Sequence, residues 1–156
     1  MTIRVQTEDF DMAAEYRALS TAPAGKTPNA SVGAVVTFTG LVRDLYQDKT
    51  IHAMTLEHYP GMTEKELTRI YDEAMSRWPI TKATIIHRVG RLLAGDQIVF
   101  VGCTSAHREA AFEACHFIMD FLKTDAPFWK AEETDAGITW VDARDTDKTA
   151  LKKWQK

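Results

Sequence analysis

The segment FLKTDAPFWK at positions 121–130 contains two lysines, Lys123 and Lys130, and is otherwise largely aromatic and apolar. An apolar environment disfavours an ammonium group unless the group reaches water or a negatively charged partner. If Lys123 and Lys130 lie close together, each lowers the pKa of the other, which would suit one of them to donate a proton or to act as a nucleophile. The segment therefore indicates either two solvated lysines or a site for an anion.

Each lysine also has an ordinary structural explanation. Lys123 falls in the last turn of a predicted helix, where a cation stabilises the helix dipole by about 0.3–1 kcal/mol. Lys130 alternates with Trp129 along a predicted strand, so it faces solvent if Trp129 faces the core. Residue type and spacing alone leave both explanations open.

Four further basic residues lie at the ends of predicted elements, where binding sites are commonly built. Arg43 follows the first long strand, His107 and Arg108 open the second long helix, and Arg144 follows the last strand. Arginine and the free amides of a helix N-terminus both bind phosphate well. The set favours an anion-binding pocket. A surface ion pair for Arg108 and plain loop positions for Arg43 and Arg144 are the alternatives.

The sequence contains no pattern typical of a metal site or of a cysteine nucleophile. Its five histidines include no HExxH motif, and His87 is predicted on the partly exposed face of a strand. Cys103 and Cys115 fall on apolar stretches and are predicted to be buried, inert thiols. P-loop, GxGxxG and GxSxG motifs are also absent. We therefore expect no bound metal.

The bulk composition predicts one globular domain spanning residues 1–156. The chain is 45% hydrophobic and 26% charged, as in ordinary globular domains. Its net charge of -3 argues against general nucleic-acid binding, which normally accompanies a basic surplus. The N-terminus resembles no secretory signal, and no apolar run is long enough to span a bilayer, so we expect a cytoplasmic protein without a membrane partner.

Hydrophobic periodicity predicts an α+β fold with more strands than helices. Helices are predicted at about 9–19, from Pro60-Gly61 to Pro79, and from an N-cap at Ser105 to Thr124. We expect Thr63 and Glu66 to form a capping box, with Met62 and Leu67 as a hydrophobic staple around it. Strands are predicted at 3–6, 32–39, 51–58, 83–89, 97–103, 128–133 and 138–142.

Several longer motifs, in this order, are specific enough to indicate a family. They are GAVVTFTGLVRD, TLEHYPGMTEKEL, SAHR, LKTDAPFWK and WVDAR, which span about residues 33–144. On these motifs the chain resembles the large, catalytic subunit of molybdopterin synthase. The resemblance implies an α/β-hammerhead type of α+β fold, with a mostly antiparallel sheet and two or three helices. Loop 44–50 and tail 145–156 lie outside the distinctive motifs, and the tail is expected either to fray or to contact a partner.

The resemblance also implies a reaction and its partners. A dimer of this subunit would bind a small ubiquitin-like sulfur carrier at each end, giving a heterotetramer. The carrier's C-terminal Gly-Gly, as a thiocarboxylate, would supply two sulfurs to cyclic pyranopterin monophosphate, and the product would be the dithiolene of molybdopterin. No cofactor and no catalytic cysteine would then be needed.

The same resemblance assigns roles to the basic residues. Lys123 and Lys130 match catalytic positions of the family, while Arg43, His107, Arg108 and Arg144 match positions that would bind the substrate phosphate. Two other interpretations are kept: a binding module without catalysis, and a sulfurtransferase that uses Cys103 or Cys115.

Overall fold

The structure, a computed structural model, describes residues 2–22, 28–46, 48–141 and 145–155. Its helices are α1 (Met12–Ser20), α2 (Met62–Arg77), α3 (Arg108–Thr124) and α4 (Asp145–Leu151), with a 3-10 turn at Lys152–Trp154. Its strands are β1 (Thr2–Gln6), β2 (Ala34–Leu41), β3 (Leu45–Tyr46), β4 (Lys49–His58), β5 (Ile80–Arg88), β6 (Gly90–Leu93), β7 (Gln97–Ser105), β8 (Phe128–Thr134) and β9 (Gly137–Val141). The predicted α+β class is confirmed, whereas β3, β6 and α4 are additions to the predicted elements.

The first sheet has the strand order β1-β5-β7-β2 and is buried on both faces. Only the β1–β5 pairing is parallel in this sheet. On one face, Ile85 and Val101 pack with α2 and α3 in the main core. On the other face, Ile86 and Phe100 pack with Leu19 of α1. The near-continuous apolar runs of β5 and β7 follow from this burial on both faces.

The second sheet is built around β4, which pairs antiparallel with β3, β6 and β8, while β8 pairs with β9. Side chains alternate along β8, as they must in a strand. Trp129 is 43% exposed, and its ring contacts Tyr59 edge-on at 4.8 Å between centroids. Phe128, Lys130 and Glu132 point to the opposite face, toward the first sheet and α3.

The start of α2 differs from the predicted capping box. Gly61, at φ 85°, is the N-cap, and its N–H donates to the Glu64 carboxylate at 2.6 Å. Thr63 is instead fully buried inside the helix, and Glu66 pairs with Arg69. The predicted staple is also wrong, because Met62 is 64% exposed. The helix begins two residues earlier than that box requires, since glycine accepts the left-handed backbone at the turn.

The third helix has the predicted apolar stripe and the predicted end, but a different N-cap. Ala111, Ala114 and Ile118 are all buried against the first sheet. The N-cap is His107, which makes no side-chain capping bond. Ser105 still belongs to β7, where its hydroxyl donates to the Pro79 carbonyl at 2.8 Å.

The C-terminal residues 145–155 pack against α2 and α3 of the same chain. Trp154 is buried, and its indole N–H donates to the Asp120 carboxylate at 2.8 Å. Its carbonyl accepts a hydrogen bond from Arg77 at 2.7 Å, and its ring meets Trp78 and Phe117 edge-on. The tail thereby closes the outer side of the main core. Of the helices described, none is both long and apolar enough to cross a membrane.

Candidate active site

A cavity of about 530 Å³ lies between the two sheets and the last turns of α3. Apolar side chains form much of its wall, including Met54, Ile98 and Leu122. The charged side chains on its described wall are Arg43, Lys123, Lys130 and Glu132. Three basic groups against one acidic group make the cavity attractive to an anion.

The chain reversal after α3 brings both lysines to this cavity. Asp125 is the C-cap of α3, and its N–H donates to the Phe121 carbonyl of the last turn at 2.8 Å. Pro127 then prevents the helix from continuing, and β8 runs back along the second sheet. Lys123 from the helix end and Lys130 from the strand consequently line the same space. Because Trp129 faces outward, the solvated-face explanation of Lys130 does not hold.

Arg43 reaches the cavity because the loop after β2 is anchored at its neighbour. Val42 is 2% exposed, and its N–H donates to the Asp96 carbonyl at 2.9 Å. Its own carbonyl accepts from the Gly95 N–H at 2.8 Å. An anchored backbone restricts where the Arg43 guanidinium can lie, which favours specific binding of a phosphate or carboxylate.

His107 and Arg108 lie at the opposite end of α3 and are exposed. Arg108 and Lys123 are fifteen positions apart on α3, and at 1.5 Å per residue their backbones are about 22 Å apart. Within one chain these two residues do not line the cavity that holds the lysines. Arg144, the remaining predicted phosphate ligand, lies outside the described residues.

His87 also lines the cavity, contrary to its predicted position. It is 6% exposed rather than on a partly exposed strand face, and its ring stacks on Phe128 at 3.8 Å between centroids. Burial lowers the pKa of His87 to about 4, and nearby Lys130 and His58 add to this effect, against a hydrogen bond to the Arg88 carbonyl. The imidazole is therefore neutral at physiological pH. Its burial could have been predicted from the sequence ATIIHRVG, because a nearly continuous apolar run is typical of a strand buried on both faces.

The two cysteines do not line the cavity that holds the lysines. Both are buried, as predicted. A hydrogen bond with Cys115, and then burial, raise the pKa of Cys103, while the same bond lowers the pKa of Cys115 against its burial. Among the described residues, no group of three or more histidine, cysteine or acidic side chains is placed to bind a metal.

The family of the chain follows from comparison with known proteins. A model of the MoaE protein family matches residues 5–125. The molybdopterin synthase catalytic subunit of Vibrio cholerae is 52% identical over 153 residues, 98% of this chain and 97% of that protein. The structure of the molybdopterin biosynthesis MoaE protein from Burkholderia ambifaria has a TM-score of 0.81 at 54% identity, covering 99% of this chain and 98% of that one. The molybdopterin synthase structure from Staphylococcus aureus has a TM-score of 0.78 at 32% identity, covering 88% and 95% of the two chains. The chain therefore belongs to the MoaE protein family.

Proposed function

We propose that this chain is the catalytic subunit of molybdopterin synthase, a sulfurtransferase of molybdenum cofactor biosynthesis. The observation that carries the proposal is the meeting of Lys123 and Lys130 in one cavity, in a chain whose relatives are named for that activity. The substrate is cyclic pyranopterin monophosphate. Two sulfurs come from the thiocarboxylated C-terminus of a small carrier subunit, and the product carries the dithiolene.

The basic groups of the cavity suit the charges of this reaction. The thiocarboxylate sulfur first forms a bond to a side-chain carbon of the pterin and displaces its oxygen as water. A second water then adds to the acyl carbon, and negative charge develops on the carbonyl oxygen. Collapse of this intermediate breaks the bond between the acyl carbon and sulfur, so that the sulfur stays on the pterin and the carrier leaves as a carboxylate. The Lys123 ammonium stabilises that oxygen or moves a proton to it. Lys130 binds and orients the anionic groups, and Arg43 holds the phosphate, to which a guanidinium can donate two parallel hydrogen bonds.

The sulfur donor and the absence of a cofactor are linked. Because the sulfur arrives on the carrier's C-terminus, the chain needs no nucleophilic cysteine of its own, and the reaction needs no metal or cofactor from this subunit. An extended Gly-Gly tail is narrow enough to enter a cleft and be held through its backbone. We place the reaction in the cytoplasm, where thiols remain reduced.

A phosphate role for His107 and Arg108 requires a second copy of the chain. Their distance of about 22 Å from Lys123 along α3 is too long for both ends to hold one small substrate. In a symmetric dimer each chain can offer the N-terminus of its α3 to the other chain's cavity. The proposed assembly is accordingly a dimer with one carrier at each end, a heterotetramer.

The test is a single-turnover assay with the purified chain, thiocarboxylated carrier and cyclic pyranopterin monophosphate. We expect wild type to form the dithiolene and Lys123→Ala to lose about 10²–10³-fold in rate, the usual effect of removing one oxyanion-stabilising group. Lys65→Ala, a change at an exposed lysine of α2, is the matched control and should react like wild type.

Three outcomes would contradict parts of this proposal. No product from a folded wild-type chain in complex with the carrier would leave a binding module without catalysis. Loss of fold in Lys123→Ala would make that residue structural. Loss of activity on alkylating Cys103 and Cys115, with the fold retained, would point to a cysteine-dependent sulfurtransferase.

A further inference from the structure

One wall of the cavity holds a histidine that the proposed roles of the basic residues leave unused. His87 lies on β5, the strand that pairs with β1 on one side and β7 on the other. Its backbone is fixed between Val5 and Val99, and its ring is fixed by the nearly parallel stack on Phe128, at 16° between the planes. Because backbone and ring are both held, each ring nitrogen of His87 points in a fixed direction.

The hydrogen bond of His87 defines its tautomer. The Nδ1 atom lies 2.8 Å from the Arg88 carbonyl oxygen. A carbonyl can only accept, so Nδ1 carries the proton, and in the neutral ring Nε2 keeps its lone pair. The described residues provide no partner for Nε2. Among the described residues, Arg4 Nε is the one side-chain nitrogen that is both fully enclosed and without a hydrogen-bond partner. His87 Nε2 has no partner either, so it is not fully enclosed, and it opens toward the cavity that His87 lines.

A neutral acceptor differs chemically from the groups around it. The nearby Lys123, Lys130 and Arg43 are hydrogen-bond donors, which suit phosphate and thiocarboxylate oxygens. A lone pair repels those same oxygens and instead suits an N–H group. Glu132 also accepts hydrogen bonds, but its charge draws it toward ammonium groups. The cavity therefore has a cationic part for anions and, at His87, a neutral acceptor beside apolar side chains.

We propose that His87 binds the pterin ring of the substrate, with its Nε2 accepting a hydrogen bond from a ring or amino N–H. This inference rests on the proposed function and adds to it an orientation. The heterocycle lies against the His87 and Phe128 wall, and the phosphate lies toward the basic side chains. His87 is thus a determinant of specificity for a ring that carries N–H donors.

The binding test uses three probes that separate the ring from the phosphate. They are cyclic pyranopterin monophosphate, tetrahydropterin, which has no phosphate, and inorganic phosphate. His87→Phe keeps an aromatic ring on Phe128 but removes the acceptor. We expect it to weaken both pterins about tenfold to a hundredfold, the effect of an unmade hydrogen bond in a buried site. Phosphate and carrier affinity should stay unchanged.

Two further variants make the comparison specific. His87→Gln restores a side-chain acceptor and should recover part of the pterin affinity. His52→Phe makes the same change at an exposed histidine of β4 that does not line the cavity, and should bind all three probes like wild type. Thermal unfolding of each variant shows whether its fold persists.

Equal pterin affinity in folded His87→Phe would overturn the inference, and so would a uniform loss of pterin, phosphate and carrier binding. If that variant does not fold, the nitrogen-15 spectrum of wild type gives the answer. The Nε2 resonance should shift when tetrahydropterin binds, and an unshifted resonance in the bound state overturns the assignment. Failure of the proposed function is distinct, because wild type would then form no dithiolene whatever His87 binds.

Discussion

At the scale of single residues, burial decides which polar groups of the cavity carry charge. Lys123 is exposed enough to hold its ammonium in contact with water. His87 is enclosed and lies near Lys130, so its neutral form is favoured. A basic cavity with one neutral imidazole can bind an anion and a heterocycle together, because the imidazole does not compete with the cations for the anion.

The lowered pKa of His87 predicts a loss of stability in mild acid. The unfolded chain binds a proton near the ordinary value of 6.5, whereas the folded chain binds it only near about 4. Protonation therefore favours the unfolded state. The contribution of neutral His87 to the free energy of unfolding is complete above pH 6.5 and is lost progressively as the pH falls toward 4. That contribution is about 3 kcal/mol.

Urea unfolding of wild type and His87→Gln at pH 7, 6 and 5 checks this prediction. Glutamine does not titrate, so the variant should lose less of its free energy of unfolding over this range than wild type. Asp9, whose pKa is lowered by hydrogen bonds from Gln97 and its own loop, contributes only at lower pH in both proteins. Parallel pH dependences for the two proteins would contradict the prediction.

At the scale of elements, the segment between α3 and β8 is tied to the start of α2 by one buried hydroxyl. Thr63 Oγ1 accepts from the Tyr59 N–H at 3.2 Å and donates to the Pro127 carbonyl at 3.5 Å. Pro127 precedes the strand that carries Lys130. Thr63 is a positioning residue, which acts on the site through the backbone that it holds.

Replacing Thr63 by valine should cost about 1–3 kcal/mol in the free energy of unfolding, because it leaves two polar groups without a partner at nearly the same side-chain volume. It should also slow sulfur transfer without weakening carrier binding. The measurements are urea unfolding and the single-turnover rate.

Thr68→Val is the matched control for that change. Its hydroxyl bonds only to the Glu64 carbonyl in the same helix, at 2.8 Å. A similar loss of rate in both variants would show that Thr63 acts through general stability and not by positioning Lys130.

How far the sequence predicts the structure also depends on the element. The apolar stripe of α3 and its end near Pro127 follow from local pattern, and both are confirmed. The caps of α2 and α3 are predicted wrongly. Thr63 lies inside α2 and Ser105 inside β7, and the hydroxyl of each donates to a distant carbonyl while it accepts from a backbone N–H near the helix start. Burial of His87 depends on strands far away in the chain, so local periodicity alone does not reveal it.

At the scale of the whole molecule, the predicted site residues divide between the two ends of α3. The sequence motifs identify the residues together because they are close along the chain or belong to one family pattern. Only the three-dimensional structure shows that His107 and Arg108 stand apart from the cavity of their own chain. The proposed dimer would bring His107 and Arg108 of one chain to the cavity of the other.

Subunit mixing tests the shared site. Lys123→Ala and Arg108→Ala chains should each be nearly inactive alone. In a mixed dimer, the cavity of the Arg108→Ala chain has its own lysine and receives an intact arginine from the other chain. Random mixing should restore about a quarter of wild-type activity, since half of the dimers carry one complete site out of two.

The control is a mixture of Lys123→Ala with Lys130→Ala. These residues share one cavity, so no mixed dimer contains a complete site and no activity should return. Absence of recovery in the first mixture, with subunit exchange demonstrated, would show that Arg108 does not serve the partner's cavity.

The strand order of the first sheet has a consequence for how the protein forms during synthesis. Thr2 of β1 lies opposite Thr84 of β5, and Ala34 of β2 lies opposite Ser105 of β7. Each of these strands is synthesised well before the strand that it pairs with, and such non-local pairing slows folding. While the ribosome is still making the middle of the chain, β1 and β2 have no sheet to join, so we expect their apolar side chains to stay exposed until β5 and β7 have been made.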